Sequence, residues 1–187
     1  MRVVAVMYRE NGYERTSMAS LAKRVGITAP ALYHHFSSKE EILAHFLEIT
    51  LRDLHHFVSA RISGKSWADK LASFMKAFVK WHLQQQPYPG AYDRIFALGH
   101  LRNSLPEHLA ERVRVLERQV YQLCRELVEG GMEAGEFRQA PAAPMAFALI
   151  GMADDILGWY RTEGDLSPGK IATLYSELAV AMVRPPR

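Results

Sequence analysis

Hydrogen-bonding and charged side chains cluster between residues 28 and 39, near the start of the 187-residue chain. Thr28, Tyr33, His34 and His35 carry hydroxyl or imidazole groups, and Lys39 adds a positive charge. The cluster has neither the nucleophile–base pairing of covalent catalysis nor the spacing of a metal site. Such groups instead hydrogen-bond to base edges and phosphates, so the cluster indicates a nucleic-acid contact surface.

Two short helices joined by a tight turn would position this cluster. Ser17 can cap the first helix, and Gly26 permits the left-handed backbone of a sharp turn in which Ile27 is the apolar contact. Thr28 can cap the second helix, where Pro30 falls in the first turn and costs no hydrogen bond. This pattern is typical of a helix-turn-helix, which lays one helix in the major groove of DNA. Helical spacing predicts that Met18, Leu21, Ala22, Val25, Leu32 and Phe36 are buried.

The run from residue 5 to residue 43 resembles the N-terminal domain of the tetracycline-repressor (TetR) family of bacterial transcription regulators. The match includes Gly12-Tyr13, Thr16-Ser17, the run from Leu32 to Phe36 and the run from Ser38 to Glu41. The resemblance implies that the start of the second helix faces base edges, while its end and Lys39 hold phosphates. The candidate DNA-binding residues are Ser17, Thr28, Ala29, Pro30, Ala31, Tyr33, His34, His35 and Lys39.

Each polar candidate also has an ordinary structural interpretation. Tyr33 can belong to the core, His34 and His35 can be solvated, and Lys39 can be a simple first-turn charge. A cation in the first turn is poorly placed for the helix dipole, which favours a nearby phosphate as its partner. Ala29 and its small neighbours cannot make bidentate contacts to guanine or adenine. We therefore assign base reading to the hydroxyl, imidazole and phenol groups, supplemented by DNA shape.

Composition agrees with a globular regulator rather than a disordered or membrane protein. Hydrophobic residues make up 49% and charged residues 23% of the chain, and the net charge is +3. Residues 1–46 hold six Lys or Arg and four Asp or Glu, a net of +2, so most of the positive excess lies in this part. Cys124 is the one cysteine, which excludes an internal disulfide and is typical of the cytoplasm. No apolar run is long enough to cross a membrane.

Helical periodicity continues after the first domain, so the sequence predicts an all-α fold. We expect a three-helix DNA-binding domain at residues 1–46 and a larger six-helix ligand-binding and dimerisation domain at residues 47–187. In the resembling family, the last two helices pair with those of a second copy, which places two reading helices on a palindromic operator. The predicted later helices run from Ser38 to Ile62, Ser66 to Pro87, Ala91 to Leu101, Ser104 to Gly130, Pro141 to Gly164, and Ser167 onward.

Aromatic and polar residues alternate along the middle helices, as in the wall of a small-molecule pocket. The segment around Trp159 and Arg161 is similar to TetR members that regulate fatty-acid, sterol or acyl-CoA breakdown. That resemblance implies an acyl-CoA or hydrophobic acid as effector, with Trp159 lining its tunnel and Arg161 attracting phosphate or carboxylate. An aromatic stripe can equally be core. The candidate ligand residues are Trp81, Tyr88, Tyr92, Phe96, His100, Tyr121, Asp155, Trp159 and Arg161.

Catalysis is not expected. Asp154 and Asp155 are adjacent on a helix, about 100° apart, and cannot readily share one substrate. The eight histidines show no metal-ligand spacing, and no cofactor motif is present. A ligand-responsive regulator, most often a repressor in this family, is the main interpretation. A constitutive DNA-binding module and an enzyme with an accessory DNA-binding domain are the alternatives.

Overall fold

A computed structural model describes residues 1–85, 105–161 and 164–186. All regular structure in these ranges is helical, which confirms the all-α prediction. The predicted helix from Ala91 to Leu101 lies outside the described residues. The helices are α1 (Arg2–Asn11), α2 (Met18–Val25), α3 (Ala29–His35), α4 (Lys39–Ser59), α5 (Trp67–Lys80), α6 (Glu107–Glu133), α7 (Ala142–Asp154), α8 (Ile156–Trp159) and α9 (Pro168–Val183). A π-helical turn, Trp81–Gln85, follows α5.

The chain divides into two compact units. The described residues 1–52 and 105–116 form the first unit, and residues 53–85, 117–161 and 164–186 form the second. The core of the first unit includes Tyr8 and Phe46, whose rings meet edge to face with centroids 6.3 Å apart. In the second unit α5 packs mainly against α9, and Phe74 and Phe78 of α5 are fully buried.

Side-chain caps define several helix starts, as the sequence predicts. The Ser66 hydroxyl accepts a hydrogen bond from the Asp69 backbone N–H at 3.0 Å, and the Ser167 hydroxyl accepts one from Lys170 at 3.4 Å. These bonds satisfy backbone donors that have no partner within the helix. The start of α4 differs in detail, because the Glu41 carboxylate accepts from the Ser37 backbone N–H at 2.7 Å instead of reaching back to Ser38.

Three predicted details are wrong. Val25 is 48% exposed although it lies on the helical stripe of Met18, because periodicity sets a direction but does not supply a covering element. Helix α4 ends at Ser59 rather than at Ile62. The helix predicted from Pro141 to Gly164 is interrupted at Asp155 and ends at Trp159.

Candidate DNA interface and effector site

Reciprocal caps hold the two helices of the helix-turn-helix. The Ser20 backbone N–H donates to the Ser17 hydroxyl at 3.1 Å, and the Ser17 backbone N–H donates to the Ser20 hydroxyl at 2.9 Å. Gly26 ends α2 with φ of 82°, in the left-handed region that glycine occupies without steric cost. The Thr28 hydroxyl then accepts from the Ala31 backbone N–H at 3.3 Å. The orientation of α3 is therefore fixed by short-range bonds at its start.

Helix α3 presents the candidate reading residues to solvent. Leu32 is buried, whereas Tyr33 is 52% exposed and His34 and His35 are also exposed. Tyr33 is consequently not a core residue. Ser17, Thr28 and Pro30 are exposed too, and Ala29 and Ala31 are half-buried. The small side chains at the start of α3 leave its backbone accessible to a close partner.

Lys39 is held against the N-terminal helices within the first unit. Its ammonium donates to the Tyr13 carbonyl at 3.3 Å and lies 4.1 Å from the centroid of the Tyr13 ring. The Tyr13 hydroxyl donates to Glu40 Oε1 at 3.1 Å. The Glu40 pKa is lowered, first by a hydrogen bond from its own backbone N–H and further by the Tyr13 hydroxyl. Lys39 thus has an internal anchor that the sequence did not reveal.

The predicted effector residues do not form a single group in the described structure. Trp81 is fully buried, and its indole N–H donates to Asp53 Oδ2 at 2.6 Å. The Tyr121 hydroxyl donates to the Ala143 carbonyl at 3.0 Å. Trp159 is 45% exposed and lies parallel to Tyr175 with ring centroids 6.4 Å apart. Asp155 and Arg161 are exposed. Tyr88, Tyr92, Phe96 and His100 lie outside the described residues.

Two polar residues that were not selected as ligand residues meet inside the second unit. His82 is buried, with Nδ1 2.9 Å from the Phe78 carbonyl oxygen and Nε2 3.6 Å from Asp154 Oδ1. Burial lowers the His82 pKa to about 4. Burial, with the Glu117 carboxylate as a second cause, raises the Asp154 pKa to about 7. A histidine in the apolar run of α5 was the available sequence signal, but its partner 72 positions away was not predictable from spacing.

Family comparisons decide what this arrangement belongs to. The model described as "Bacterial regulatory proteins, tetR family" matches residues 5–46. The model described as "Tetracyclin repressor-like, C-terminal domain" matches residues 64–183, which is more than half of the chain. The chain belongs to the tetR family. It is therefore a DNA-binding transcription regulator and not an enzyme.

Relatives of this tetR-family chain extend over nearly its whole length. The HTH-type transcriptional repressor KstR2 of Rhodococcus jostii strain RHA1 is 24% identical over 184 residues, covering 95% of this chain and 86% of the relative. The TetR family regulator PfmR of Thermus thermophilus superposes with a TM-score of 0.82 at 26% identity over 96% of each chain. AibR, solved with isovaleryl coenzyme A and operator DNA, has a TM-score of 0.79 at 20% identity, covering 100% of this chain and 96% of AibR.

The second unit of this regulator exposes an apolar stripe on α7 and α9. Phe147 is 65% exposed, and Leu174 and Leu178 are 44% and 43% exposed. The Phe147 ring lies against Tyr121, with centroids 4.3 Å apart. Exposed apolar side chains gathered on one face are typical of an interaction surface. Within the described ranges, none of the helices is both long and apolar enough to cross a bilayer.

Proposed function

We propose that the protein is a homodimeric repressor of the bacterial cytoplasm that binds a palindromic operator and responds to a small hydrophobic effector. The observation that carries this proposal is the solvent-facing polar side of α3, fixed at its start by the Gly26 turn and the Thr28 cap. KstR2 is named as a repressor, and AibR was solved with operator DNA. Both support the same role for this chain.

DNA reading is assigned to the exposed groups of α3. The Thr28 hydroxyl, the two imidazoles and Tyr33 supply hydrogen bonds and stacking surface, while Ala29 and Ala31 contact thymine methyl groups. Ser17 and Lys39 are placed with the phosphate contacts. Lys39 would then either leave its Tyr13 anchor or bind phosphate beside it.

Dimerisation is assigned to the apolar stripe formed by Phe147, Leu174 and Leu178. Charged residues are rare in this stripe, and regulators of this family act as dimers. A two-fold axis through α7 and α9 makes the interface self-complementary. Two copies of α3 would then reach successive major grooves about 34 Å apart.

The effector is assigned to the class of acyl-CoA thioesters or hydrophobic acids. AibR was solved with isovaleryl coenzyme A, which supports a ligand of this chemistry. Trp159 would contact the acyl part, and the exposed Arg161 would attract phosphate or carboxylate. The effector acts only through its difference in affinity for the DNA-competent and DNA-incompetent states.

The test begins with native mass spectrometry of freshly purified protein, which reports the subunit count and any co-purified ligand. Operator sequences are then selected from random DNA, and fluorescence anisotropy follows DNA release by isovaleryl-CoA and longer acyl-CoA thioesters. Trp159→Ala should keep DNA binding and weaken the response, with dimer mass as the control. A response that Trp159→Ala leaves unchanged contradicts the pocket assignment. DNA affinity that no effector alters would instead support a constitutive DNA-binding module.

A further inference from the structure

The pairing of His82 with Asp154 has no evident stabilising purpose. His82 is buried, and the Asp154 side chain is only 29% exposed. Their 3.6 Å separation is longer than a direct hydrogen bond, so the pair gains little from the contact that burial makes costly. Polar groups placed this way inside an apolar unit are candidates for ligand binding.

The hydrogen bond at Nδ1 determines what the other histidine nitrogen can do. A carbonyl oxygen only accepts hydrogen bonds, so the contact with Phe78 places the proton of a neutral imidazole on Nδ1. Nε2 is then an acceptor on the side that faces Asp154. The imidazole lies among aromatic rings, with centroids 4.5 Å from Phe78 and 5.1 Å from Trp81.

We propose, as a refinement that rests on the function proposed above, that His82 and Asp154 hold an uncharged hydroxyl group of the effector. A hydroxyl oxygen beside the 3.6 Å gap can donate to His82 Nε2 and accept from the carboxyl of Asp154. The carboxyl lies at the end of α7, one residue before α8 begins, where the helix is interrupted and a ligand can approach.

The surrounding charges select against an anionic group at this point. Glu117 of α6 lies close enough to raise the Asp154 pKa to about 7, so Asp154 retains a proton to donate near neutral pH. A carboxylate or phosphate of the ligand would face these two acidic side chains and be repelled. The anionic end of an acyl-CoA or acid therefore binds elsewhere, and His82 and Asp154 contact a neutral hydroxyl on the hydrophobic part.

Matched ligand pairs test the hydroxyl directly by isothermal titration calorimetry on the full-length protein. One pair is 3-hydroxybutyryl-CoA and butyryl-CoA, and the other is lithocholic acid and 5β-cholanic acid, so the arms distinguish a hydroxylated acyl chain from a hydroxylated ring skeleton. We expect the hydroxylated member of at least one pair to bind about 10-fold tighter, in line with one buried hydrogen-bonded group. Equal affinity within both pairs, or no binding of any of the four, overturns the proposal.

Variants locate the preference. His82→Phe and Asp154→Leu should abolish it, whereas Asp154→Asn should retain it because the amide still donates a hydrogen bond. Asp165→Asn, which neutralises an exposed carboxylate of the same unit, should match the parent protein. If Asp154→Leu does not fold, loss of the preference in folded His82→Phe decides the question. A preference that survives in folded His82→Phe contradicts the assignment.

DNA release is measured separately, so that the two proposals fail in different ways. A hydroxyl preference with unchanged DNA affinity contradicts the ligand-responsive function but leaves the hydroxyl site in place. Release of DNA by both members of a pair at equal concentration supports the function and overturns the hydroxyl site.

Discussion

The candidate DNA-contact residues of α3 and the polar pair of the second unit differ in exposure. Tyr33 is 52% exposed and its neighbouring histidines face solvent, whereas His82 is buried beneath aromatic rings. A polyanionic duplex is met by accessible hydrogen-bonding groups on a rigid helix. A small effector is held by few polar groups in an apolar wall. The histidines in the two places therefore differ in function because of their surroundings and not because of their chemistry.

The largest expected effect comes from separating the two copies of the regulator. Leu178→Glu places a charge in the apolar stripe and should yield monomers, because a buried unpaired charge is strongly unfavourable. Losing the second half-site should weaken operator binding by roughly 100-fold. Light scattering measures the mass and anisotropy measures the affinity. Glu177→Gln, one position away on α9, is the control, and a dimer that persists in Leu178→Glu contradicts the assigned interface.

Removing the most exposed aromatic group of α3 should have the next largest effect. Tyr33→Ala should weaken binding to operator and random DNA alike by roughly 10-fold, with only a small change in salt dependence, because its hydroxyl contacts the phosphate backbone. Competition anisotropy at several salt concentrations measures both effects. Val115→Ala removes a similarly exposed apolar side chain from α6 and should change neither. A loss confined to operator DNA would assign Tyr33 to base reading instead.

The turn before α3 can be tested through its backbone. Gly26→Ala should lower the free energy of unfolding by about 1 kcal/mol, since an L-residue with a Cβ atom is strained at φ of 82°. The space around Gly26 is open, so a steric clash does not contribute. Gly169→Ala in α9 has equally open surroundings without positive φ and should be neutral or stabilising. Chemical denaturation measures both, and equal effects would remove the turn from the explanation.

The smallest effect concerns the buried carboxyl group. The Asp154 pKa is raised to about 7 in the folded protein, so its contribution favours folding at low pH and is lost as the pH rises through about 7. Asp154→Asn should therefore gain about 0.5–1 kcal/mol more stability relative to the parent at pH 8 than at pH 6. His82 titrates in both proteins, which largely cancels its opposite effect. Denaturant melts at both pH values measure the difference, and a gain independent of pH contradicts a buried, proton-retaining Asp154.

Local signals account for what the sequence could predict in the reading region. Ser17, Gly26 and Thr28 act on backbone atoms within four residues, so their roles follow from residue type and spacing. The all-helical class and the starts of α5 and α9 follow for the same reason. The boundary at Asp155 did not follow, because nothing in the residue types around Asp155 marks an interruption of the apolar run.

What the sequence alone determined is the set of short-range features: the helical class, the caps, the left-handed turn and the polar outer side of α3. Only the tertiary structure decided which side chains are covered. It exposed Val25 and Phe147, attached Lys39 to Tyr13, and brought Asp154 next to His82. The physical reason is that capping and helical periodicity are local, whereas burial and the pKa shifts it causes depend on distant segments that meet only after folding.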